Sequence, residues 1–252
     1  MCPALYYYID MIQIDASNLG NLLEVLPPTL DFVVVGEMHG SRQNAPLIQK
    51  LALAFLAYDR HVTIAFEWSI SAAELHALND YVHGGVTPTP LPSFFLNSDG
   101  RVTHEHFTLL QWIRGYNFEH SDRIDIFAFD QDSNGTDREQ AMANALRAYK
   151  TQHPDSLVLV ETGNMHARNA LYVFDSEPHM PMAAILKETH QVFSIFLQYL
   201  AGEILVEGMP RDVTRAASQR EESKPYFDAL VTIPKSQAAL EITSLTDVIK
   251  SI

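Results

Sequence analysis

The stretch VVVGEMHGSRQNAP, residues 33 to 46, joins a run of valines to a glycine, a glutamate and a histidine. Continuous apolar, β-branched residues that end at a glycine are typical of a short strand buried on both faces. Pro46 suits the first turn of a helix, and apolar residues then recur at three- and four-residue steps as far as Tyr58. A buried strand that leads directly into a helix indicates an α/β fold, with Glu37 and His39 at the end of the strand.

Three further segments have strand patterns, and helical patterns separate them. HVTIAFEW (61–68) and SLVLVET (156–162) are apolar runs typical of buried strands, and RIDIFAFDQD (123–132) has alternating apolar positions. Ser71 and Glu74 fit a capping box that would begin the helix after the second strand. Parallel strands need such crossover connections, because each strand must re-enter the sheet at the same end. The sequence therefore predicts a mostly parallel central sheet flanked by helices.

Ionisable side chains stand at the ends of these four strands. Glu37 and His39 follow the first strand, Glu67 ends the second, Asp130 ends the third and His166 follows the fourth. The carboxyl ends of parallel strands lie along one edge of the sheet, where open α/β folds bind ligands. We therefore expect the active edge at the C-terminal ends of the strands, with these side chains around one pocket.

The pattern predicts one α/β domain over residues 1–252. Residues 84–102 hold three prolines and three glycines, which indicates an inserted loop or lid. Residues 203–252 are harder to assign, and we expect one more strand there, at 229–233.

The chain is acidic, with a formal net charge of −14. Such a chain repels phosphates and has no basic stripe to bind them, so we expect no nucleic-acid partner. The first twenty residues lack a basic start and an uninterrupted apolar core, so we expect no signal peptide and no membrane span. The predicted location is cytoplasmic, with a processed lipoprotein at Cys2, the single cysteine, as the alternative.

Familiar nucleophile and phosphate motifs are missing from the sequence. GEMHG lacks the Gly-Lys-Ser ending of a phosphate loop, and no serine lies in a GxSxG elbow. The chemistry then falls to histidine and carboxylate groups. An imidazole can take a proton from water, and a nearby carboxylate can fix its tautomer. The same groups, above all Glu37, His39 and His166, also suit a zinc, manganese or iron ion, so metal-free and metal-assisted hydrolysis both stay open.

Other polar residues have two readings. Arg42, three residues past His39, can hold a substrate carbonyl or carboxylate, or it is a surface cation near a helix start. The triplet His104-Glu105-His106 resembles a ligand set, yet alternate positions on a helix point about 200° apart. We therefore expect that triplet to be surface polar residues.

With these residues in view, the sequence resembles the superfamily that joins erythromycin esterase-like proteins to the haem-binding uptake (ChaN/Tiki) proteins. The resemblance spans about residues 30 to 200. The middle segments resemble the esterase branch, whereas the compact Glu-x-His spacing and the chain length resemble the haem-uptake branch. The segments that carry it are VVVGEMHGSRQNAPLIQKLA, IAFEWS, LLQWIRGYN, IDIFAFDQD, DREQAMANAL and VETGNMHARN.

Resemblance to the esterase branch implies that His39 is the general base for a hydrolytic water. It also implies that Glu37 and Glu67 orient or polarise the reacting groups and that His166 completes the pocket. Arg42, Asp130 and Arg114 are the expected substrate-binding residues. The expected function is hydrolysis of an ester or amide bond in a small-molecule substrate by a water that the Glu/His cluster activates, either alone or together with a divalent metal (Zn, Mn or Fe). The alternative is a haem- or iron-binding protein of the ChaN type without turnover.

Overall fold

A seven-stranded sheet runs through the centre of the protein, and every pair of neighbouring strands in it is parallel. The computed structural model describes residues 12–16, 19, 22, 24, 26–27, 29–86, 93–96, 99–121, 123–130, 137–174, 176–213, 226–240 and 242. The strands are β1 Ile12–Asp15, β2 Phe32–Glu37, β3 Val62–Phe66, β4 Ile124–Ala128, β5 Leu157–Gly163, β6 Tyr172–Phe174, β7 Glu177–His179, β8 Val192–Tyr199, β9 Glu203–Val206, β10 Met209–Asp212 and β11 Ala229–Ile233.

Helices connect these strands and cover both faces of the sheet. The α-helices are α1 Asn44–Leu56, α2 Ala72–Val82, α3 His104–His120, α4 Arg138–Gln152 and α5 Met182–Lys187, and Ser93–Leu96 forms one turn of 3-10 helix. The predicted capping box begins α2: Ser71 Oγ accepts from the Glu74 amide at 3.3 Å, and Glu74 accepts from the Ser71 amide at 2.8 Å. This confirms the sequence prediction for that helix start.

The strand order is β1-β11-β8-β2-β5-β3-β4. The four strands with ionisable ends are therefore neighbours, in the order β2-β5-β3-β4, and the predicted parallel α/β sheet is confirmed. The register sets Glu37 of β2 beside Gly163 of β5, and Phe66 of β3 beside Glu161 of β5. The carboxyl ends of β2, β5 and β3 thus meet at one edge.

Strand β2 shows why the sheet is buried on both sides. All six of its residues are buried, and they alternate between two hydrophobic clusters. Val33 and Val35 pack with residues of α1, α2 and α3, whereas Phe32 and Val34 pack with residues of α4 and α5. Two apolar faces explain why the strand is a continuous apolar run rather than an alternating one.

One expected boundary differs from the structure, and one expected strand is found where the sequence predicts it. The third strand ends at Ala128 rather than at Asp130, so Asp130 lies two residues beyond it. The unassigned C-terminal part contributes the predicted strand at 229–233 as β11, which lies between β1 and β8 in the central sheet. A separate antiparallel pair, β9 and β10, precedes it.

The described part of the 84–102 excursion packs against the sheet edge. Phe95 is fully buried, with its ring 5.2 Å from that of Trp68. Trp68 Nε1 donates to the Arg101 carbonyl at 3.1 Å, which ties residue 101 to the end of β3.

None of the described helices is long and apolar enough to cross a bilayer. Cys2 lies outside the described residues.

Candidate active site

Glu67, the residue after β3, is the point where three strand ends meet. Its side chain is buried, and its Oε2 accepts from Thr162 Oγ1 at 2.7 Å and from the Gly163 amide at 2.8 Å, both at the end of β5. His39 Nε2, from the loop after β2, lies 3.8 Å from Glu67 Oε2. His166 Nε2, from the loop after β5, lies 3.6 Å from Glu67 Oε1. The structure thus brings both histidines to one carboxylate.

His39 forms a close pair with Glu37. Its Nδ1 lies 2.5 Å from Glu37 Oε1, and the Glu37 side chain is buried. The Glu37 carboxylate accepts a hydrogen bond from the proton on Nδ1. The other ring nitrogen, Nε2, is the one on the side of Glu67. Gly163 makes room for the ring, because a Cβ at that position would lie 3.2 Å from His39 Nε2.

Opposing effects set the pKa values of this pair and of Glu67. Burial alone lowers the pKa of His39, but the hydrogen bond and charge of Glu37 and the charge of Glu67 outweigh it and raise that pKa to about 9. Burial raises the pKa of Glu37 above its ordinary value. Burial also raises the pKa of Glu67, yet the charge of His39 and the hydrogen bonds from β5 outweigh it, so the pKa of Glu67 is lowered. At neutral pH His39 is therefore mainly an imidazolium.

Arg138, the first residue of α4, joins three functional side chains. Its guanidinium donates to both oxygens of Asp130 at 3.0 and 2.7 Å, to Glu67 Oε1 at 2.6 Å and to His166 Nε2 at 2.9 Å. A guanidinium only donates, so His166 Nε2 accepts and Nδ1 carries the proton. That Nδ1 donates to Glu139 Oε1 at 2.5 Å. These two hydrogen bonds therefore fix the tautomer and the orientation of the His166 ring.

Arg101 adds a second guanidinium to Glu67. Its Nε donates to Glu67 Oε1 at 3.2 Å, while its Nη1 donates to Asp99 Oδ2 at 2.8 Å. Sequence reasoning did not identify Arg101, Arg138 or Glu139. The last two lie in the DREQ segment, residues 137 to 140, where the sequence indicates a helix start and not a site residue.

A second buried histidine and glutamate lie behind the first pair. His106 is 2% exposed, and its Nε2 lies 3.3 Å from Glu161 Oε1. Its Nδ1 accepts from the Thr103 amide at 3.2 Å, so the proton is on Nε2. The expectation that 104–106 are surface residues was therefore wrong for Glu105 and His106, which are both buried. The first turn of α3 faces the sheet, and His106 takes the place that a glutamate usually has in a capping box.

A small cavity separates the two histidine–glutamate pairs. Its volume is about 10 Å³, which is the room that one water molecule needs. Its lining residues are Glu37, His39, Phe66, Glu67, Trp68, Arg101 and Glu161.

Two of the expected substrate-binding residues lie away from this cavity. Arg42 Nε is 3.1 Å from Glu105 Oε1, and Arg42 lines a different cavity of about 470 Å³. Arg114 donates to the carbonyl oxygens of Tyr81 and Gly85, which holds the end of α2 in place. Asp130 reaches the site only through Arg138. Substrate contacts by these three residues stay predictions.

The observed hydrogen bonds do not fit the expected metal ligand set. His166 Nε2 accepts from a guanidinium that would repel a cation, and Glu37 Oε1 is already bonded to His39 Nδ1. Among the residues that the structure describes, no three His, Cys, Asp or Glu side chains are grouped as metal ligands. We therefore derive no step through a metal. Metal and haem binding stay predictions for elemental analysis and haemin titration.

Solved structures share this architecture. A protein from Bacillus cereus has a TM-score of 0.60 at 12% identity, over 90% of this chain and 93% of its own. A succinoglycan biosynthesis protein has a TM-score of 0.60 at 12% identity, over 90% of this chain and 94% of its own. An erythromycin esterase, EreC in its open conformation, has a TM-score of 0.59 at 12% identity, over 89% of this chain and 96% of its own.

At this level of identity the likeness shows a shared fold. The expected resemblance to an erythromycin esterase is thereby confirmed for the fold. No protein-family model matches the chain, and no curated protein matches its sequence.

Proposed function

We propose that the chain is a hydrolase that cleaves an ester or amide bond in a small molecule, with His39 as the general base. The observation that carries the proposal is the position of His39. Its Nδ1 is bonded to buried Glu37, and its Nε2 stands beside Glu67, where three strand ends meet. The fold shared with an erythromycin esterase supports the reaction class, and the macrolide substrate is not carried over.

The proposed reaction moves one proton to His39 and back. Neutral His39 takes a proton from water on Nε2, and the water oxygen bonds to the substrate carbonyl carbon, which moves an electron pair onto the carbonyl oxygen. The carbonyl then re-forms, the bond to the leaving oxygen or nitrogen breaks, and His39 returns its proton to that leaving atom. The base and the acid are thus the same nitrogen.

Positive charge near the cavity supports the negative charge that develops on the carbonyl oxygen. Arg101 and Arg138 both bond Glu67, and their side chains are 28% and 37% exposed. Fixed cations in a water-poor site stabilise a developing oxyanion more strongly than they would in water. His166 and Asp130 hold Arg138 in this position.

The test is hydrolysis of a panel of p-nitrophenyl esters and p-nitroanilides by the wild type and by His39→Asn. We expect the variant to lose on the order of 10² to 10⁴ in rate, since it cannot accept the water proton. The matched control is His61→Asn, because His61 pairs with Asp125 at 2.8 Å before β3, at the opposite edge of the sheet. Melting temperatures of both variants should stay within a few degrees of the wild type.

Two results would overturn the proposal. One is full turnover by His39→Asn on a substrate that the wild type cleaves. The other is a wild type that cleaves none of the panel yet gives a Soret shift with haemin, which would favour the haem-binding alternative.

A further inference from the structure

Two buried carboxylate oxygens of the site lack a hydrogen-bond partner among the described residues. They are Glu37 Oε2 and Glu161 Oε2. Both side chains are 4% exposed or less. A buried acceptor without a donor costs about 1 to 3 kcal/mol, so such atoms normally have a partner.

Each of the two acids is held by its own histidine. Glu37 Oε1 is bonded to His39. Both oxygens of Glu161 lie 3.3 Å from His106 Nε2, and Oε1 is the one that accepts its hydrogen bond. The second oxygen of each acid is therefore the one that remains for the cavity that both side chains line.

Size and charge decide what occupies this cavity. A volume of about 10 Å³ admits one water and nothing larger. Two positive groups, the Arg101 guanidinium and the imidazolium of His39, line the cavity and would repel a cation. A water instead has two O–H donors for the two acceptors.

We propose that a resident water donates to Glu37 Oε2 and Glu161 Oε2. This water makes Glu161 and His106 positioning residues for His39. The chain of contacts runs from Thr103 through His106, Glu161 and the water to Glu37, and it fixes the Glu37 carboxyl group against rotation. A fixed carboxyl group keeps the Nδ1 bond aligned, and with it the direction of Nε2.

The first test is a crystal structure of the wild type at about 1.5 Å resolution. We expect a single peak within hydrogen-bond distance, about 2.7 to 3.0 Å, of both oxygens. An empty cavity, or a peak at the 2.0 to 2.2 Å typical of a transition metal, would overturn the proposal. This result does not depend on activity, so it separates failure of the water site from failure of the proposed hydrolase function.

The second test rests on the proposed function and uses the ester that the wild type cleaves. In Glu161→Ala we expect kcat to fall about 10- to 100-fold with KM within about twofold, because ground-state binding is untouched. Glu161→Gln keeps a polar group against the water and should restore kcat to within about threefold of the wild type. Equal losses in both variants, or an unchanged kcat in Glu161→Ala at an unchanged melting temperature, would contradict the positioning role.

Discussion

His39 lies between two carboxylates that act on different nitrogens of its ring. Glu37 fixes the proton on Nδ1, and Glu67 attracts positive charge at Nε2. The same two acids that orient the ring also raise its pKa to about 9, so the base form is the minor form at neutral pH. Orientation and basicity are gained here at the cost of a lower population of the reactive form.

The raised pKa of His39 predicts that stability falls in alkaline solution. The folded pKa of about 9 exceeds the ordinary value of 6.5, so the folded state binds the proton more tightly. The stabilising contribution is complete below about pH 6.5 and is lost as pH rises through about 9. We expect a loss on the order of 3 kcal/mol in the free energy of unfolding between pH 6 and pH 9.5, measured by urea denaturation. His39→Asn should show a smaller loss; equal losses would contradict the pKa shift.

We expect Arg138 to contribute more to the free energy of unfolding and to activity than a partly exposed arginine usually does. In Arg138→Lys a single ammonium cannot reach Asp130, Glu67 and His166 together, so Glu67 loses part of its charge compensation. We expect a loss of about 2 kcal/mol in the free energy of unfolding and a clear drop in activity.

The control for this change is Arg123→Lys. Arg123 pairs with Asp59, whose side chain is 90% exposed, so the change should cost less than about 1 kcal/mol. If the two variants were equally stable, Arg138 would be no more than a surface cation.

At the scale of elements, the end of β5 determines how closely the histidines approach. A Cβ on Gly163 would lie 3.2 Å from His39 Nε2 and 3.6 Å from His166 Cδ2. We expect Gly163→Ala to push the His39 ring aside and lower kcat about tenfold or more, with the fold intact.

Gly115 in α3 provides the matched control, because a Cβ there meets nothing within 4 Å. Gly115→Ala should leave activity unchanged and stabilise the protein by about 0.5 to 1 kcal/mol, as alanine favours an exposed helix interior. Thermal melts and kinetics on both variants test this pair, and full activity in Gly163→Ala would show that the close approach is unimportant.

Elements were more predictable than the contacts between them. Apolar runs and periodicity predicted the four buried strands and their polar ends, because burial on both faces leaves a clear pattern. His106, Arg101, Arg138 and Glu139 were missed because they come from helix starts and an irregular loop. Their role depends on which face of a helix meets the sheet, and residue spacing carries no such information.

At the scale of the whole molecule, the strand order creates the site. The sequence predicted parallel strands but not that β5 enters between β2 and β3. That insertion places Gly163 beside Glu37 and Glu161 beside Phe66. Strand β5, the last of the four along the chain, therefore contributes residues to the centre of the site. Non-local order of this kind depends on tertiary packing rather than on local pattern.

The most direct test of the account is the pH dependence of kcat/KM between pH 6 and pH 10, measured on protein treated with a chelator. A metal-free general base at His39 predicts a rise with pH to a plateau, with a midpoint near 9, since kcat/KM reports the free enzyme. A profile that is flat over this range, or activity that disappears on chelation and returns with a divalent metal, would contradict it.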